Sequence, residues 1–388
     1  MHKKVRRSLA AAALGGVATF GIAAAASAQG GPFGGPFGPP GRDHAVFVQT
    51  DNPAGNAIDV LDEHPDGRLS LDQTVSTGGA GGQSSGATAD ELASQGSLVY
   101  DPNGQLLLAV NAGSNTLSVL STQGPGIHLV QVVSSGGPFP DSVAVHGNLV
   151  YVLDAGGTGT VTGYRLFGDR LVPLPGSTRT LGLSNTTPPN FLGSPGQIGF
   201  SPDGSELIVT TKAATSSLDV FSVNPIGLLS ATPTVTADPG NVPFSFATTP
   251  TGQLAVAEAA NSTLHTYGFA PGGALTSLSA SVPDNQTALC WITAVGAYYY
   301  VANAGSNSLS AYSISSNGTP SLIGTTGVVA STDAGPIDMA ASADGSTLFV
   351  EAGAAGAVDE LHVNADGSLT DLGSVASLGA GIEGIAAD

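Results

Sequence analysis

The sequence has little of what most chemistry uses. Its 388 residues include one cysteine, one tryptophan and two methionines. A lone cysteine, Cys290, excludes an internal disulfide and any cysteine-based metal centre. It sits in the apolar stretch Ala288-Leu289-Cys290-Trp291-Ile292, the setting of a small core hydrophobe rather than a nucleophile. Positive charge is scarce as well, with 10 Lys and Arg against 29 Asp and Glu. A polyanionic surface demands many cations, so nucleic acid and anionic lipid are excluded as partners. The histidines are few and scattered. His64, His128, His265 and His362 have no partner at ligand or dyad spacing, His146 falls in a hairpin turn, and no Ser/His/Asp arrangement can be assembled. No metal and no cofactor are expected.

Charge of either sign is absent from residues 8–28, an Ala/Gly-rich run preceded by Lys3, Lys4, Arg6 and Arg7. The run ends in Ala26-Ser27-Ala28, the small-x-small pattern that a signal peptidase cuts. Residues 1–28 are therefore read as a cleaved signal peptide, residues 29–43 as a Gly/Pro-rich leader, and residues 44–388 as the folded domain. The expected location is secreted or periplasmic, with no stable membrane insertion. Arg6-Arg7 leaves Sec and twin-arginine export both open. The signal segment carries four of the ten basic residues and no acidic one, so its removal takes the net charge from −19 to −23.

What is present is repetition. Val110-Asn111-Ala112-Gly113-Ser114-Asn115-Thr116-Leu117-Ser118 returns as Ala302-Asn303-Ala304-Gly305-Ser306-Asn307-Ser308-Leu309-Ser310. Each copy lies in a run of short apolar strands separated by turns such as Ser201-Pro202-Asp203-Gly204 and Ser342-Ala343-Asp344-Gly345. Ile58, Leu117, Val161, Leu218, Leu264, Leu309 and Val358 each open the third strand of a unit, at spacings of 44 to 59 residues. That is the period of propeller blades, with insertions at Gly78–Gly96 and Ser184–Pro195 accounting for the two long intervals. The first unit lacks its first strand, and Gly381-Ile382-Glu383-Gly384-Ile385-Ala386-Ala387 at the C-terminus supplies a spare one. The prediction is an all-β, seven-bladed propeller of four-stranded antiparallel blades, closed by the C-terminal strand completing blade one.

Hairpin parity puts the loop after strand two on the same face as the connection between blades. With one-residue adjustments in blades three and seven, the residues ending strand two are Asn52, Asn111, Asp154, Lys212, Glu258, Asn303 and Glu351. All seven are polar, and they form the candidate ligand site at the mouth of the channel. Asn and Asp also stabilise turns through their own backbone, a structural role that fits Asn111 and Asn303 best. Lys212, Glu258 and Glu351 are the candidates for catalysis, since turns do not require charge.

The segment Ser201-Pro202-Asp203-Gly204-Ser205-Glu206-Leu207-Ile208-Val209, the Asn-Ala-Gly-Ser-Asn loops and Gly335-Pro336-Ile337-Asp338-Met339-Ala340 resemble those of the lactonase-type seven-bladed propellers. That family includes 6-phosphogluconolactonases and carboxymuconate cyclases, and the likeness is greatest to a secreted branch of it. The resemblance covers His44 to Asp388 and implies opening or closing of a lactone ring at the top of the channel, without a metal. Where such enzymes carry a Gly-Pro-Arg-His segment, this chain has Ser194-Pro195-Gly196-Gln197-Ile198. A phosphorylated substrate is therefore not expected. Two functions follow: hydrolysis of a non-phosphorylated lactone, with Glu258 or Glu351 as base and Lys212 holding the oxyanion, or a non-catalytic binding propeller. The partners expected are a small polar molecule or an envelope or extracellular protein, with the chain acting as a monomer.

Overall fold

The computed structural model describes residues 45–64, 68–124 and 126–388. The signal peptide and leader expected over residues 1–43 lie outside the described residues.

Seven antiparallel blades of four strands form a propeller, the outermost strand being split in two in blades 3, 5 and 6, and the order of strands within each sheet follows the chain, except in blade 1. Blade 2 is representative: Leu98–Asp101 lies innermost, followed outward by Leu106–Asn111, Thr116–Ser121 and His128–Ser134. In blade 1, Ala45–Gln49 is the second strand and pairs with Ile385–Ala387 from the C-terminus, with Phe47 opposite Ala386. The ring is thus closed by the C-terminal strand joining Ala45–Gln49 in one sheet, as the missing first strand predicted.

Burial explains the sequence pattern. Second strands are sandwiched between neighbouring blades, so Leu106–Asn111 and Leu149–Asp154 are buried on both faces and read as continuous apolar runs. Outermost strands such as Leu69–Ser76 face solvent and alternate. The apolar residue chosen as the opener of each third strand lies opposite the penultimate position of the second-strand hairpin, as in Val110 with Leu117 and Ala302 with Leu309. On the opposite face the Asp-Gly turns are self-contained. Asp203 Oδ1 accepts from the Ser205 amide at 3.1 Å and from the Ser201 and Ser205 hydroxyls at 2.8 Å, while Gly204 takes φ +68°.

Two features shape the top face, where connections between blades run. The innermost strands of blades 3, 5, 6 and 7 each carry a register shift at their first residues: Pro140/Ser142, Pro243/Ser245, Leu289/Trp291 and Pro336/Met339. These bulges turn Asp141, Phe244, Cys290 and Asp338 out of the ladder at the channel. The residues leading into them, Phe139, Val242, Ala288 and Gly335, all have positive φ. Left-handed backbone at a β-branched valine is costly and persists only where surroundings over-determine it.

Candidate functional site

The seven polar positions do not form one ring. Asn111, Asp154, Glu258 and Asn303 occupy equivalent places, each paired with the first residue of the third strand. Their side chains bond inside the blade: Asn111 Nδ2 donates to Ser118 Oγ at 2.8 Å and Asn303 Nδ2 to Ser310 Oγ at 2.9 Å. Asp154 accepts from Thr160 at 3.4 Å, and burial pushes its carboxyl up to about 7. Glu258 accepts from Thr263 at 2.5 Å and lies 2.8 Å from His265 Nδ1. Blade 4's equivalent is Thr211, with Lys212 one residue later. Glu351 falls one residue earlier than its supposed counterparts, opposite Val358, and so faces the other side of its strand. Asn52 lies beyond its strand and is exposed.

The Gly78–Gly96 insertion does not stay on the top surface. Its last residues, Leu92–Gly96, thread across the propeller axis and bond to the inner strands of several blades. Ser94 Oγ donates to the Asp141 carbonyl at 2.7 Å, and Trp291 Nε1 donates to the Ser94 carbonyl at 2.9 Å. Gln95 clasps the Ile292 backbone with two 2.9 Å bonds, donates its amide to the Gly196 carbonyl at 2.9 Å, and accepts from Ser142 Oγ at 2.6 Å. The Gly96 amide donates to Asp338 Oδ2 at 3.1 Å. The insertion is a plug, and its tip belongs to the core.

Around the plug lies a set of buried acids: Asp51, Asp90, Asp141, Asp338, Glu351 and Glu383, none more than 7 % exposed. Desolvation raises the pKa of every one, and carries Asp338 up to about 8. The Asp90 and Glu383 carboxyls interact electrostatically; Asp90 Oδ1 accepts from the Ala93 amide at 2.5 Å and Glu383 Oε2 from the Leu92 amide at 3.4 Å. Burial and the Asp90 charge lift Glu383 well above the usual carboxylate range; burial raises Asp90 too, against Glu383, Lys212 and the Ala93 amide, which act to lower it. Of the two, Glu383 is pushed further toward the protonated form.

Lys212 is the buried cation facing these groups. Its Nζ donates to the Ala93 carbonyl, to the Phe191 carbonyl at 2.6 Å and to Ser194 Oγ at 2.7 Å, with the Phe244 ring 5.0 Å away. It ties the plug to the second insertion, Ser184–Pro195. Burial pulls its ammonium down to about 8, against the nearby Asp90 and Asp141 charges that raise it.

Above Lys212 a pocket of about 430 Å³ opens on the top face over blades 4 to 6. Its floor and walls are mostly apolar (Phe191, Leu192, Val242, Phe244, Trp291), with Asp90, Lys212 and Cys290 the reactive groups among its lining. Burial pushes the Cys290 thiol up to about 12, so it serves as apolar lining. Of the sequence candidates, only Lys212 lines this pocket; Asn52 lines a separate, more polar cleft of about 600 Å³ beside blade 1. Asp90 and Glu383, the most distinctive acids, escaped sequence reading because one lies in an insertion with no strand pattern and the other in the closing segment.

The chain matches no protein-family model and no curated protein sequence. Its structural neighbours are 6-phosphogluconolactonase-like seven-bladed β-propellers. A Lactobacillus plantarum protein superimposes with a TM-score of 0.70 at 18 % identity, covering 88 % of this chain and 98 % of that one. A putative 6-phosphogluconolactonase from Bacteroides fragilis gives 0.66 at 15 % identity over 91 % and 100 %. The periplasmic gluconolactonase of Pseudomonas aeruginosa gives 0.67 at 15 % identity over 88 % and 98 %. At such identities the likeness is one of fold, and chemistry must be argued from the site.

Proposed function

We propose that the chain is an exported lactone hydrolase acting in the top-face pocket on a non-phosphorylated lactone with an apolar substituent. The observation that carries this reading is the Asp90–Glu383 carboxyl pair at the wall of an apolar pocket, beside a buried lysine. Asp90 takes a proton from water as the water oxygen bonds to the lactone carbonyl carbon. The ring C–O bond then breaks, and the same proton passes to the departing alkoxide to give the hydroxy acid. Glu383, pushed further toward the protonated form, lowers the charge of the pair. Lys212, with its donors committed to the plug and second insertion, shapes the pocket and supplies the positive field; this replaces the oxyanion role first assigned to it. Glu258 and Glu351 lie outside the pocket lining and have no part in the step. Export is supported by the signal-type segment at residues 1–28 and by a structural neighbour described as periplasmic.

Ring opening of alkyl-substituted γ- and δ-lactones, followed by acid release, tests the reading. Wild-type protein should exceed the buffer rate, and Asp90→Asn should lower kcat by on the order of 10²-fold with an unchanged melting temperature. No turnover across the panel, or full turnover in the Asn variant, overturns it. A non-catalytic binding pocket is the second reading, favoured by one observation: all three Nζ bonds of Lys212 go to protein acceptors. Tight lactone binding by calorimetry without turnover would establish it.

A further inference from the structure

Blade 5 holds a second cluster of reactive groups, outside the lining of the top-face pocket. Asp238, Glu258 and His265 bring one ligand atom each to within 4.8 Å of one another. Asp238 is 4 % exposed and Glu258 is fully buried, while the His265 side chain is 13 % exposed and gives the cluster its opening to solvent. We propose that these three residues form a binding site for a first-row divalent cation of the zinc type.

Hydrogen bonding leaves three electron pairs converging on one point. Ser277 Oγ donates to the Ser279 carbonyl at 2.9 Å, so its oxygen must accept from His265 Nε2, 2.8 Å away. Nε2 therefore carries hydrogen, and in the neutral ring the Nδ1 lone pair points at Glu258 Oε1, at 2.8 Å. The outer oxygen of each carboxylate is also held from behind. Thr263 donates to Glu258 Oε2 at 2.5 Å and Asn241 Nδ2 donates to Asp238 Oδ1 at 2.6 Å. Asp238 Oδ2 is buried and makes no hydrogen bond of good geometry, with the Tyr267 hydroxyl beside the carboxylate. Lone pairs so placed repel unless a cation lies between them, and either protons or a metal ion can fill that place.

The donor set favours the metal's chemistry. One imidazole nitrogen and two carboxylates suit zinc, cobalt or ferrous iron better than calcium or magnesium, which take oxygen ligands alone. Ser277, Thr263 and Asn241 stand where outer-shell partners orient ligands in built sites. Asp238 comes from the connection into blade 5 that continues to Val242 at the pocket wall, so an ion here would fasten that connection to the second and third strands of the blade.

The test uses tag-free protein stripped with a chelator and dialysed. Zinc titration with metal analysis should give one tightly held ion per chain and a higher melting temperature. Cobalt substitution should give visible d–d absorption and a paramagnetically shifted imidazole N–H resonance from a ligated histidine. Asp238→Asn and His265→Gln should abolish both signals. Should either variant fail to fold, Ser277→Ala, which leaves all three ligands in place, should weaken binding about 10-fold. No uptake overturns the proposal. Uptake unaltered in Ser277→Ala and the ligand variants, the signature of an adventitious ion only, overturns it equally.

Discussion

The repeated Asn-Ala-Gly-Ser-Asn phrase is a fastener between blades, and three of its bonds recur in both copies. The first Asn bonds back to the third strand. The Ser hydroxyl accepts from a neighbouring backbone amide, Ala80 at 3.0 Å in one copy and Thr287 at 2.8 Å in the other. The second Asn takes positive φ, +55° at Asn115 and +51° at Asn307, and its Oδ1 accepts the amide that leads into the next blade: Phe139 at 2.8 Å and Gly335 at 3.0 Å. Asn tolerates left-handed backbone and offers a short acceptor, which few other side chains combine. Asn307→Ala should therefore lose about 2 kcal/mol in urea unfolding, from strain plus the lost bond, and Asn307→Gly only about 1 kcal/mol. At Lys212, replacement by Met leaves the buried Ala93 carbonyl and Ser194 Oγ without a donor, and stability should fall by about 3 kcal/mol. A loss under about 1 kcal/mol would remove its role as a staple between plug and insertion.

Among the elements, the plug departs furthest from expectation. A Gly/Ser-rich insertion without strand pattern reads as a surface loop, yet Leu92 is fully buried and belongs to the same apolar cluster as Leu106, Leu108 and Val143. Leu92→Ala should thus destabilise by about 3 kcal/mol, the cost of a core truncation rather than of a loop change. Shortening the insertion to remove Leu92–Gly96 should abolish cooperative thermal unfolding instead of yielding a folded protein with an altered surface. The closing strand shows the opposite case. Its pairing with Ala45–Gln49 was legible from the alignment of Gly381–Ala387 with Gly335–Ala341, because a missing strand and a spare one leave few other arrangements.

The molecule as a whole carries its acids in an unusual place, and this sets its response to pH. Asp338 at about 8 and Asp154 at about 7 stand above the value near 3.9 of an unfolded aspartate, and Asp51, Asp141, Glu351 and Glu383 are raised as well. Between those limits the folded chain binds more protons than the unfolded one, so stability falls as pH rises from about 4 through about 8. Lys212, lowered to about 8, works the other way only above that pH. The melting temperature should be higher at pH 5 than at pH 8, the reverse of ordinary acid denaturation. Asp338→Asn should raise it at pH 8 and flatten the slope.

The primary structure by itself determined the repeat, the number of blades, the third-strand register and the closure of the ring. These rest on local periodicity, turn chemistry and apolar patterning, all of which are written along the chain. It also marked Lys212 and Glu258 as departures from the repeated pattern. Only the tertiary structure decided what surrounds them. Glu258 meets His265 because hairpin register sets Glu258 opposite Thr263 and puts His265 on the same face two residues further on, while Asp238 arrives from the connection between blades 4 and 5. Lys212 meets Asp90 because an insertion of no regular pattern crosses the axis. Side chains that converge from separate blades, or from a loop without periodicity, leave no spacing to be read, since the closed ring alone brings them together.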